Sequence, residues 1–197
     1  MKPSMLCRAL AVVFLAVVAG CGDDDSNHDM HMGDDVAPER LVVDGNYSDE
    51  RFIDMMAAHH QMATEMAMVE EQRGTRQELR ALATKMIQDQ RQEIEELKAL
   101  KQARFGSSDV PTMMSESEMQ NSGMLMPDEL AQQPDVDKAF IDSMMPHHAG
   151  AIQMATVALQ RSSIAEIRTL ARKIIDAQAG EVGQLGAWRM AWYGSQP

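Results

Sequence analysis

Two pairs of adjacent histidines, His59–His60 and His147–His148, hold four of the six histidines in this chain of 197 residues. Each pair sits among methionines. Met55, Met56, Met62 and Met66 lie within two helical turns of the first pair, and Met144, Met145 and Met154 hold similar places around the second. Neighbouring residues on a helix point about 100° apart, so one imidazole of each pair faces the seam and the other its flank. Imidazole with thioether is a soft donor set, suited to Cu(I) and Ag(I) and poorly suited to magnesium or calcium. Each feature alone has a bland explanation. A methionine stripe is flexible core filling, and a core histidine bonded to a glutamate is structural. Their combination, repeated, points to a metal.

The repetition extends well beyond the histidines. Phe52 and Phe140 begin two segments at an offset of 88 positions, and 22 of the 49 positions from Phe52 onward are identical without a gap. Arg73 matches Arg161, Lys85 matches Lys173, Gln90 matches Gln178, Glu93 matches Glu181 and Leu97 matches Leu185. This is an internal duplication, which must be settled before any fold is assigned.

Each repeat reads as a helix hairpin. Phe52, Met56, His59, Ala63 and Met66 step by four and three, the spacing of a bundle seam. A break falls near Arg73–Gly74. Thr75 and Glu78 are then spaced as a capping box for the next helix, and Ser163 and Glu166 repeat the device. Two such hairpins predict an all-α, antiparallel four-helix bundle of ferritin-like type, with approximate twofold symmetry. Counting back from the turn puts His59 level with Gln90 and Met56 with Glu93. It likewise puts His147 level with Gln178 and Met144 with Glu181. Buried polar groups are costly without partners, so the interior must hold a hydrogen-bonded network, a metal site or both. Glu93 and Glu181 could ligate, or could act as acceptors that orient the imidazoles. Pro146 stands where the first repeat has Ala58 and makes the half-sites unequal. Asp54 and Asp142 repeat as well, and capping or a salt bridge to a repeated arginine is the reading for them.

Around this core the chain divides into several stretches. Residues 1–20 combine Lys2 and Arg8 with a short apolar run, the pattern of a signal peptide. The run ends in Val18-Ala19-Gly20-Cys21, which resembles a bacterial lipobox, and that resemblance implies lipidation of Cys21. Residues 21–47 read as a disordered acidic tether. Within it His28 and His31, beside Met30 and Met32, are a second possible soft-metal site. The domain proper is expected over 48–197, with repeat one at 48–102, a methionine-rich connection at 103–135 and repeat two at 136–193. The connection is long for a bundle, and it is expected to carry a short helix and to cover one end of the core. The formal charge of −12 makes nucleic acid a poor partner. Metal ions, a membrane reached through the lipid anchor, and a homo-oligomer are the partners the sequence allows. The localisation expected is extracytoplasmic, facing the periplasm or the cell exterior.

The duplicated pattern of methionine, paired histidine, alanine and Met-Ala resembles the bacterial family known as domain of unknown function 305, over nearly everything from Tyr47 to Tyr193. The resemblance implies a ferritin-like bundle and, from some members, copper or silver binding tied to copper tolerance. It carries over His59, His60, Met56 and Met66, with His147, His148, Met144 and Met154, as ligand candidates. Met55, Met62, Met145, Glu93, Glu181, His28 and His31 are secondary. Gly150 stands where the first repeat has Met62, which weakens Met62.

The first function to emerge is an anchored protein that buffers Cu(I), with no catalysis. A second is a ferritin-like di-iron or manganese oxidase, but such sites use Glu-x-x-His pairs, and the residues three before His59 and His147 are Met56 and Met144. A third is a metal-free structural or interaction module with a polar core. No Ser/His/Asp arrangement or Gly-rich phosphate loop is present.

Overall fold

The computed structural model describes residues 41–114, 119 and 125–194. The signal segment, Cys21, His28 and His31 lie outside the described residues. A short hairpin pairs β1 (Val42–Val43) with β2 (Asn46–Tyr47). Four long helices follow: α1 (Asp49–Arg73), α2 (Gln77–Phe105), α4 (Val136–Arg161) and α5 (Ala165–Tyr193), with a short α3 (Pro127–Ala131) between α2 and α4. The fold is an all-α four-helix bundle. At 1.5 Å per residue the 25 residues of α1 span about 37 Å.

The helix ends follow local chemistry. Ser48 Oγ accepts from the Arg51 N–H to open α1, and Asp135 Oδ1 accepts from the Lys138 N–H to open α4. Gly106 and Gly194, again 88 apart, close α2 and α5 with φ of 80° and 73°, a conformation that favours glycine. The expected capping boxes do not form. The α2 N-terminus is capped from the other repeat instead: Asp137 accepts from the Thr75 hydroxyl and from the backbone N–H groups of Thr75 and Arg76. One carboxylate collects three donors there, which Glu78 in the same turn cannot do. At α5 the Ser162 hydroxyl accepts from the Ile164 N–H, and Glu166 pairs with Arg104.

The end of the presumed tether belongs to the fold. Leu41 is fully buried in the core, and Asp44-Gly45, both at positive φ, turn the hairpin. Helix α4 runs unbroken through Pro146. The repeated aspartates do form ion pairs, but with unlike partners at the equivalent place: Lys101 for Asp54 and Arg189 for Asp142.

The buried apolar residues form two clusters. One gathers Phe52, Ile53, Met56 and Ala57 of α1 with Ala151, Met154, Ala155 and Ala158 of α4. The other gathers Met62, Ala63, Met66 and Ala67 of α1 with Phe140, Ile141 and Met144 of α4. Helices α1 and α4 therefore run antiparallel, and the 88-residue offset exchanges the clusters. Leu130 of α3 is buried in the second, against which Met114, Met119, Trp188 and Trp192 also pack. Of the connection's methionines, Met114 and Met119 thus pack on the core, whereas Met113 and Met126 are exposed.

Candidate metal centre

Between the two apolar clusters lies a polar layer. His59, His60, His147 and His148 are all at most 4 % exposed, and Gln90 and Gln178 at most 3 %. The four imidazoles divide by role. His59 and His147 meet across the α1–α4 seam with ring centroids 3.6 Å apart. His60 and His148 turn back into their own hairpins. His60 Nε2 is 2.8 Å from Glu93 Oε2 on α2, and His148 Nε2 is 2.8 Å from Glu181 Oε2 on α5. Each glutamate thus meets the second histidine of its pair rather than standing level with the seam methionine.

Nine nitrogen and oxygen atoms of this layer are buried without a protein partner. They are Nδ1 of His59, His60 and His148, both ring nitrogens of His147, and both amide atoms of Gln90 and Gln178. Buried polar atoms left unpaired cost about 1–3 kcal/mol each. Burial, and then the neighbouring imidazoles, hold His59 and His147 well below the usual histidine range. Their rings are neutral at neutral pH and offer lone pairs instead of charge.

The structure regroups the methionines predicted from sequence. Met56 and Met144 are equivalent by the repeat, as are Met66 and Met154. The antiparallel seam instead places Met56 with Met154 in one cluster and Met66 with Met144 in the other. All four are at most 1 % exposed. Of the secondary candidates, Met62 is buried in the same cluster as Met66, while Met55 is partly buried against the first cluster and Met145 against the second. A Cβ at Gly150 would lie 3.6 Å from His59 Nε2, so the glycine opens room at that nitrogen. The equivalent place facing the other half-site belongs to Met62. Sequence reasoning missed this pairing across repeats, which follows from the antiparallel approach of α1 to α4.

The donor chemistry fits a soft or borderline ion, with imidazole nitrogen in the middle and thioether sulfur on either side. Among the described residues no group of three or more His, Cys, Asp or Glu side chains is arranged to hold a metal ion. The layer brings in only two carboxylates, Glu93 and Glu181, each engaged by an imidazole.

Solved structures share this architecture. CopM in its Cu(I)-bound form is 35% identical, with a TM-score of 0.68, and the match covers 76% of this chain and all of that one. CopM in an Ag-bound form is also 35% identical, with a TM-score of 0.66, over 76% of this chain and 100% of that one. A DUF305 fragment from Deinococcus radiodurans is 26% identical, with a TM-score of 0.61, over 69% of this chain and 91% of that one. CopM has also been solved bound to Cu(II). No curated protein matches the chain. The family model of the domain of unknown function DUF305 spans residues 49–189, from the start of α1 to the last turns of α5, and the chain belongs to that family.

Proposed function

We propose that this chain is an extracytoplasmic, lipid-anchored protein that binds soft metal ions, Cu(I) or Ag(I), and so buffers copper or confers tolerance to it. The observation that carries the reading is the layer of four buried imidazoles with unpartnered nitrogens, flanked on both sides by buried methionines. The ligands are drawn from His59, His60, His147 and His148, with Met56 and Met154 on one side and Met66 and Met144 on the other. The CopM structures with Cu(I), Cu(II) and Ag support this choice of ion. Imidazole also tolerates Cu(II), whereas thioether favours the reduced ion. In this reading Cys21 is lipidated and anchors the chain to a membrane. Among the described residues no helix is long and apolar enough to cross a membrane.

The test is a Cu(I) titration under anaerobic reducing conditions against a competing chelator. The variant with His59, His60, His147 and His148 all changed to alanine runs beside the wild type. Tight binding by the wild type and its loss in the variant is the expected result. Equal binding by both would take the four histidines out of the ligand set, and no binding by the wild type would end the copper reading.

A further inference from the structure

Glu93 and Glu181 occupy equivalent places in the two hairpins and make the same contact, a 2.8 Å bond from one carboxylate oxygen to Nε2 of the second histidine in each pair. Lys173 Nζ lies 3.8 Å from the other oxygen of Glu93. A carboxylate has only acceptor sites to offer. A bond to it at Nε2 therefore requires the imidazole to donate there. A neutral ring with its proton on Nε2 has its lone pair on Nδ1. In both hairpins Nδ1 is the ring atom that is buried and finds no protein partner.

From this geometry we infer that Glu93 and Glu181 are positioning residues: they lock His60 and His148 in the Nε2–H tautomer and make Nδ1 the atom that each ring presents to the metal. The inference rests on the metal-binding reading and adds to it which atom binds and what selects it. Nδ1 is the nitrogen nearer the histidine's own backbone. An ion held there lies close to the parent helix, where Met56 precedes His60 by four residues and Met144 precedes His148 by four, the spacing of helical neighbours. An ion held at Nε2 would have to displace the glutamates. The two carboxylates thus decide the side of the ring on which the soft ion sits, without touching it.

The experiment uses the full-length, metal-free protein labelled with ¹⁵N in its histidines. Long-range correlation from the ring C–H protons reads which nitrogen carries hydrogen. For His60 and His148 the expected result is a proton on Nε2 and a bare Nδ1. Replacing both glutamates by alanine should release these rings into mixed tautomers and weaken Cu(I) binding about 10–100-fold. Glu93→Gln with Glu181→Gln keeps an acceptor oxygen and should restore both readouts in large part. A proton on Nδ1 in the wild type would overturn the inference before any variant is made, as would a doubly protonated ring. Unchanged Cu(I) affinity in the alanine variant would also overturn it. A wild type with the expected tautomer that binds no Cu(I) would remove the metal role and leave the Glu–His pairing as an internal structural bond.

Discussion

A methyl group at Gly74 would overlap Glu70 Oε1 and come within 2.6 Å of the Glu70 carbonyl oxygen. The second repeat has made the opposite choice at both places, with Ala158 for the glutamate and Ser162 for the glycine. Gly74→Ala should therefore destabilise the fold by about 1–3 kcal/mol, the usual range for overpacking. The double change Glu70→Ala and Gly74→Ser, which copies repeat two, should recover part of that in urea melts; no recovery would mean the clash is not the cause. Glu70 also has a titration of its own. Burial, and then the carboxylate of Asp137 beside it, push its carboxyl up from 4.5 to about 9. Between those values the unfolded chain loses the proton that the folded chain keeps. The contribution is complete below about pH 4.5 and declines as pH rises towards 9, by at most about 1.4 kcal/mol per pH unit. Urea midpoints at pH 6 and 8.5 should separate in the wild type and draw together in Glu70→Gln. Parallel behaviour of the two proteins would refute the assignment.

At the scale of elements, each hairpin was legible in the sequence because it is local. The spacing from Phe52 to Met66 fixed a seam, and Gly74 lies at the turn between α1 and α2. What lies between hairpins was not legible. Asp137 gave no sign in sequence that it would cap α2, 61 residues before it. Counting from the turn set Glu93 beside Met56, whereas rotation of the helices brings it to His60. The pairing of Met56 with Met154 depends on the antiparallel approach of α1 to α4, which the offset alone does not state. Asp44-Gly45 did signal a tight turn, but its acidic surroundings obscured it. The capping role yields a prediction at this scale. Asp137→Ala removes the acceptor of two backbone N–H groups and one hydroxyl, and should cost about 0.5–2 kcal/mol. Denaturant unfolding measures it, and a change well under that range would show that water caps α2 equally well.

For the molecule as a whole, metal in the central layer would join both hairpins, so binding should stabilise the fold globally. At a free Cu(I) or Ag(I) concentration 100 times Kd the gain is about 2.7 kcal/mol, or roughly 5–10 °C in Tm for a chain of this size. Trp188 and Trp192, stacked at 5.2 Å against the cluster that contains Met66 and Met144, provide a fluorescence signal for the same titration. An unchanged Tm at saturating metal would place binding outside the core. The contact of the His59 ring with the His147 ring has a further consequence. It joins two residues that the duplication makes equivalent, and contact between equivalent residues is the mark of an isologous interface. Physically, the α1–α4 seam has the symmetry of a homodimer interface, with both halves in one chain. Fusion releases the halves from having to be identical. A proline can enter one copy at 146, a glycine can clear space at 150, and a carboxylate can settle at 70, each on one side only. The symmetry is inherited, and the asymmetry is what a single continuous chain permits.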